Sequence, residues 1–137
     1  MSDAARDRIA ESFARQGLMR TLDARLEHVG AGVVRIAAAV TEASSQQHGA
    51  GHAGLTFALA DSAAGYAALS VLEDGFEVVT SEFRISLLAP ARGLLVAEGR
   101  VIRPGRRLIA VAADVHGADG AHVATALGTM VPVSLPD

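Results

Sequence analysis

The residues able to do chemistry concentrate in one stretch, HGAGHAGLTFALADSAAGYAALS, from His48 to Ser70. Two histidines, His48 and His52, open it, and a lone carboxylate, Asp61, stands among glycines, alanines and other apolar residues. A carboxylate in such surroundings loses hydration that a neighbour must replace, and burial tunes it for work as a general base or nucleophile. A structural reading stands beside that one: Asp61 caps a second helical segment that starts at Ser62 after a break near Ala60.

Three familiar arrangements do not fit. GAGHAG has the glycines of a phosphate loop but not its Lys and Ser/Thr, nor a strand-turn-helix unit of a parallel sheet to sit in. His48 and His52 are four apart, yet no Glu or third ligand stands at a zincin-like spacing, so no metal centre is expected. A Ser-His-Asp triad has no G-x-S-x-G elbow to rest on.

What remains is a histidine at the mouth of a helix and an acid inside it. The polar, turn-rich run Gln46 to Gly51 places the helix start near His52 to Gly54. The first amides of a helix have no internal partners, and the macrodipole adds partial positive charge there, which makes an oxyanion site. His52 and Asp61 are nine residues apart, about 13 Å of rise along one helix. They reach one atom only if two copies of the helix run antiparallel across a two-fold axis, which predicts a homodimer with two sites.

The 137 residues suit one domain, residues 1–137, with residues 1–17 as an N-terminal helical extension. Half the chain is hydrophobic and there is no cysteine, which excludes disulfides, thiolate nucleophiles and cysteine metal sites and makes the reducing cytoplasm the default location. The N-terminus mixes Asp, Glu and Arg without a long apolar run, so neither a secretory signal nor a membrane span is expected. A net charge of -3 argues against a general nucleic-acid binder. Every basic residue is Arg, and six of the twelve fall between Arg84 and Arg107, where Glu98 is the only acid. That segment is either a solvated strand face or a local site for phosphate, which the guanidinium fork suits.

The elements that must position these groups follow from periodicity. Ile9 and Phe13 among charged residues predict a short amphipathic helix ended by Gly17, packed as a lid. Leu22, Ala24 and Leu26 alternate with Asp23, Arg25 and Glu27, which predicts a first strand paired as a hairpin with GVVRIAAAV through His28 to Gly32. Residues 54–72, almost wholly apolar, predict a helix surrounded by protein, with Ala58, Ala60, Ala63, Ala64, Ala67 and Ala68 allowing close approach. The strand EVVTSEFRISLLAPA and a three-strand meander turning at Arg103 to Arg106 and Gly117 to Gly120 complete an α+β chain. Phe83, Ile85 and Leu87 are expected on the open sheet face.

In order and spacing, these residues resemble the PaaI-type acyl-CoA thioesterases of the hotdog fold. The likeness rests on His52-Ala53-Gly54, on Leu59-Ala60-Asp61-Ser62-Ala63-Ala64-Gly65-Tyr66-Ala67, on Val79-Thr80-Ser81-Glu82-Phe83-Arg84-Ile85, on Leu88-Ala89-Pro90-Ala91 and on Val101-Ile102-Arg103-Pro104-Gly105-Arg106. The resemblance implies a long central helix wrapped by a curved antiparallel sheet, and cofactor-free hydrolysis of aryl- or medium-chain acyl-CoA. It implies that Asp61 activates water or attacks the thioester, that the Ala53 amide polarises the carbonyl, and that His52, Gln46 and Thr80 assist. Ala53 stands where the family usually has Gly, and Gln47 competes with Gln46 for the amide role. Gln47 and Gly54 at the helix mouth, with Arg84, Arg103, Gly105, Arg106 and Arg107, are the expected substrate-binding set, the Arg turn meeting the phosphates of coenzyme A. Dimers that pair into tetramers are a further expectation. A non-catalytic acyl-CoA or acyl-ligand binding module is the alternative, because a fold does not fix a function.

Overall fold

The computed structural model describes residues 1–135. In chain order the elements are α1 (Asp3–Ala14), α2 (Gly17–Thr21), β1 (Arg25–Gly30), β2 (Val33–Ala39), α3 (Ala53–Leu69), β3 (Phe76–Leu87), β4 (Leu94–Arg103), β5 (Ile109–Gly117) and β6 (His122–Ser134). The strands form one antiparallel sheet in the order β1-β2-β4-β5-β6-β3, so the strand that follows α3 lies at an edge. The meander β4-β5-β6 turns where the glycines and prolines predict.

α3 packs against every strand from β2 to β6, which requires the sheet to curl around it. This is the α+β hotdog arrangement. Ala60, Ala63, Ala64, Ala67 and Ala68 are at most 1% exposed, and their size lets sheet and helix backbones approach. At Gly99 of β4 the approach is closest: a Cβ there would lie 2.2 Å from the carbonyl carbon of Ala63. Leu59, Leu69, Ile36, Leu95, Ile109 and Met130 fill the remaining interior, each side chain contributing about 1.5–3 kcal/mol by burial.

α1 starts at Ser2, whose hydroxyl caps the Ala5 amide, and is held at two points. Ile9 is fully buried. Arg8 donates to the carbonyls of Leu69, the last residue of α3, and of Leu72 and Glu73 just beyond it, where the helix's own amides run out.

Three expectations need correction. Gly17 does not end the first helix; α1 stops at Ala14 and Gly17 opens the short α2, while Asp23, at φ 52°, breaks the chain before β1 begins at Arg25. The alternation at Leu22, Ala24 and Leu26 therefore belongs to a strand only at its last member. Phe83 and Ile85 pack against the core instead of lying on the open face, because a bulge between Thr80 and Glu82 shifts the period of β3 by one residue. α3 ends at Leu69, not at Leu72; its own chain covers most of it and leaves Gly54, Phe57, Ala58, Asp61, Ser62 and Gly65 partly open as a stripe at helical spacing, the face available to a second copy.

Candidate active site

α3 runs unbroken from Ala53 to Leu69, so Asp61 caps no second segment. Its side chain lies on the open stripe, where the Thr80 hydroxyl donates to Oδ1 at 2.8 Å. The β3 bulge makes this contact compatible with the core, since it lets Thr80 face α3 while Phe83 and Ile85, further along the strand, do the same. Burial pushes the Asp61 carboxyl above the ordinary carboxylate range, and the Thr80 hydrogen bond pulls the other way. Beside it opens a cavity of about 290 Å³.

The mouth of the helix is built differently. His52 is the N-cap residue, extended at φ -61° and ψ 144°, and its Nδ1 accepts from the Gly54 amide at 2.7 Å. Acceptance at Nδ1 assigns the imidazole proton to Nε2, which points outward as a donor. Gly54 has thus spent its N–H on His52, whereas the Ala53 N–H has no partner among the described residues. At the first helical position the donor is available to a ligand.

The preceding loop is fixed by its own backbone. Ser45 bridges Gly51, the Gln46 amide donates to the Ala50 carbonyl at 2.8 Å, and Gly49 takes φ 88°. Gln46 Oε1 accepts from the His48 amide, so Nε2 is left to donate. Gln46 is half-buried and Gln47 exposed; both line a 560 Å³ cavity with His52, Ala53 and Thr56.

Within one chain the structure thus joins Asp61 to Thr80, and separately joins Gln46, Gln47, His52 and Ala53. The two groups line different cavities. Arg84 joins neither: it lies on the outer sheet face, 3.5 Å from Glu82. Arg103, Gly105, Arg106 and Arg107 form an exposed turn near the end of α3, where Gly105 and Arg106 border a third cavity of about 450 Å³ with Val71 and Phe76. Among the described residues Arg103, Arg106 and Arg107 make no ion pair. Sequence reasoning missed Ser12, Gln16 and Tyr66, which line the Asp61 cavity. Tyr66, the lone tyrosine of an Ala-rich helix, was the signal available.

The Thioesterase superfamily model matches residues 48–124. A protein of Saccharolobus solfataricus provisionally named an esterase is 30% identical, over 82% of this chain and 80% of its own. A similarly named protein of Deinococcus radiodurans is 36% identical over 88% of this chain and 79% of its own. The crystal structure of a thioesterase family protein from Silicibacter pomeroyi superposes with a TM-score of 0.92 at 35% identity, covering 96% of this chain and 99% of that one. The E. coli PaaI protein shares the fold at a TM-score of 0.88 and 22% identity, with 95% of this chain and 94% of that one covered. The chain belongs to the Thioesterase superfamily and is a thioester hydrolase of the hotdog fold.

Proposed function

We propose that residues 1–137 act as one domain that hydrolyses aryl- or medium-chain acyl-CoA at a site shared by two copies. One observation carries the reading: the free Ala53 amide and Asp61 sit about 12 Å of rise apart on one helix, along a stripe the chain leaves open. An antiparallel second α3 laid on that stripe sets Asp61 of each copy against the helix mouth of the other.

In that site the thioester oxygen accepts from the Ala53 N–H, with His52 Nε2–H and Gln46 Nε2–H as neighbouring donors. Asp61, oriented by Thr80, takes a proton from water as the water oxygen attacks the carbonyl carbon. The Ala53 donor stabilises the resulting oxyanion, a contribution of about 10² to 10³ in rate for such groups. Collapse breaks the carbon–sulfur bond, and the sulfur receives the proton from Asp61, leaving a carboxylic acid and free coenzyme A. No metal or cofactor enters these steps. The Arg103 to Arg107 turn is assigned to the coenzyme A phosphates, and Gln47 and Gly54 to the walls of the helix mouth. Arg84, on the opposite sheet face beside Glu82, takes no part in this site.

Hydrolysis of an acyl-CoA panel, followed by thiol release, tests the reaction, and subunit mixing tests the shared site. Ala53→Pro removes only the free N–H, because proline suits the first helical position and the extended His52 before it. Asp61→Asn and Ala53→Pro should each be nearly inactive, and their mixture should regain about a quarter of wild-type activity through mixed dimers. A mixture no better than its parents would overturn the two-chain site.

A further inference from the structure

The N-terminal helix forms one wall of the open cavity beside Asp61. Ser12 and Gln16, at and just beyond the end of α1, meet the Tyr66 hydroxyl: Gln16 Nε2 donates to it at 2.9 Å and Ser12 Oγ lies 3.0 Å away. All three line the cavity with Asp61. Gln16 is also the N-cap residue of α2, yet its side chain makes no capping bond there, so it is committed to Tyr66 instead. This wall is held in place by the buried Ile9, by the edge-on contact of Phe13 with the Tyr66 ring at 6.2 Å, and by Arg8 on the α3 carbonyls. The lid is therefore a fixed wall.

The hydrogen-bond inventory leaves something over. Tyr66 accepts from Gln16, and whichever hydroxyl donates in the Ser12–Tyr66 pair, the other keeps a proton to give. Gln16 Oε1 has no partner among the described residues. The far wall thus offers one donor and one acceptor beside the apolar Leu69 and Val78, while Ser62 and Thr80 line the cavity near Asp61. Glu77 lines the same cavity, whose described lining holds no basic side chain. From Asp61 to Tyr66 is five residues, about 7.5 Å of rise, the reach of an acyl group of about six chain atoms.

We infer that Ser12 and Gln16 determine acyl specificity, selecting acyl groups that end in a neutral group able both to donate and to accept, such as a hydroxyl, over hydrocarbon or carboxylate ends. A hydrocarbon tip would leave the wall's donor and acceptor unpaired, and a carboxylate would face Glu77 and Asp61. The inference rests on the proposed thioester hydrolysis at Asp61.

The test compares the intact protein on 6-hydroxyhexanoyl-CoA, heptanoyl-CoA and adipoyl-CoA, which differ chiefly at the tip. kcat/KM should favour the hydroxyl over the methyl tip by about tenfold, with adipoyl-CoA poorest, since sites built to hydrogen-bond a group reject analogues lacking it. In Ser12→Ala/Gln16→Leu the hydroxyl-to-methyl ratio should fall to near one, with an unchanged circular dichroism spectrum. Wild-type turnover without discrimination, or discrimination kept by the double variant, would sink this inference and leave the hydrolysis standing. If no substrate turned over, the proposed reaction would fail, and the same ratio would be read from dissociation constants by titration calorimetry, where equal affinities would overturn the specificity claim.

Discussion

The two faces of α3 are made from the same small residues and do opposite things. On the inner face Ala60, Ala63, Ala64 and Ala67 are sealed against the sheet, close enough at Gly99 that no side-chain carbon fits. On the outer face Gly54, Ala58, Ser62 and Gly65 surround Asp61 and stay partly open. Small residues thus permit close approach without saying by whom. The inner face is satisfied by its own chain, and the outer one carries the acid.

Asp61→Asn should give the largest effect, lowering kcat by about 10³-fold if the carboxylate is the general base. The same change should raise Tm at neutral pH. Folding raises the Asp61 pKa, so the wild type loses stability as pH rises through that value, and the gap between the two proteins closes below about 3.8, the ordinary value. A Tm at pH 7 that does not rise would show the outer face to be no strain on the fold.

Glycine substitutions contrast the faces directly. Gly99→Ala should destabilise by about 3 kcal/mol or more, since backbone, not a flexible tip, stands in the way. Gly65→Ala meets nothing nearer than 3.9 Å and should stabilise the isolated chain by about 0.5–1 kcal/mol through helix propensity. Denaturant unfolding of both variants measures the difference, and equal losses would erase the distinction.

Thr80→Val should lower kcat by about tenfold through loss of one orienting hydrogen bond. Because that bond pulls the Asp61 pKa down, the acid limb of the kcat/KM profile should move to higher pH; an unmoved limb would separate Thr80 from Asp61.

The smallest effect should lie on the outer sheet surface, away from either helix face. Asp114 is partly buried, which raises its pKa, but hydrogen bonds from Arg100, Thr125 and His122 outweigh this and hold it below the ordinary range. Its stabilising contribution is therefore present above about 3.8 and lost as pH falls through the lowered value. Asp114→Asn should cost about 1 kcal/mol at neutral pH, fading in acid, with no change in kcat.

Much of this was legible in the sequence where the signal is local. The start of α3 near His52 and the meander turns follow from nearest-neighbour chemistry. The orientation of Phe83 was not legible, because one bulged residue reverses an alternation without altering composition. Nor was the open stripe, since Gly65 and Ala64 look alike until a sheet covers one of them. The wall formed by Ser12 and Gln16 was hidden for another reason: their partner, Tyr66, is about fifty residues away in sequence, and no periodicity spans that distance.

The bulge in β3 has a consequence for how such a chain can change over generations. It divides one strand into two segments of opposite phase, Thr80 governing the acid and Phe83 with Ile85 anchoring the interior. Point replacements can tune either segment alone. Deletion of Ser81 cannot: it would turn one segment inside out, so this lineage should drift freely in its letters here while its spacing stays frozen.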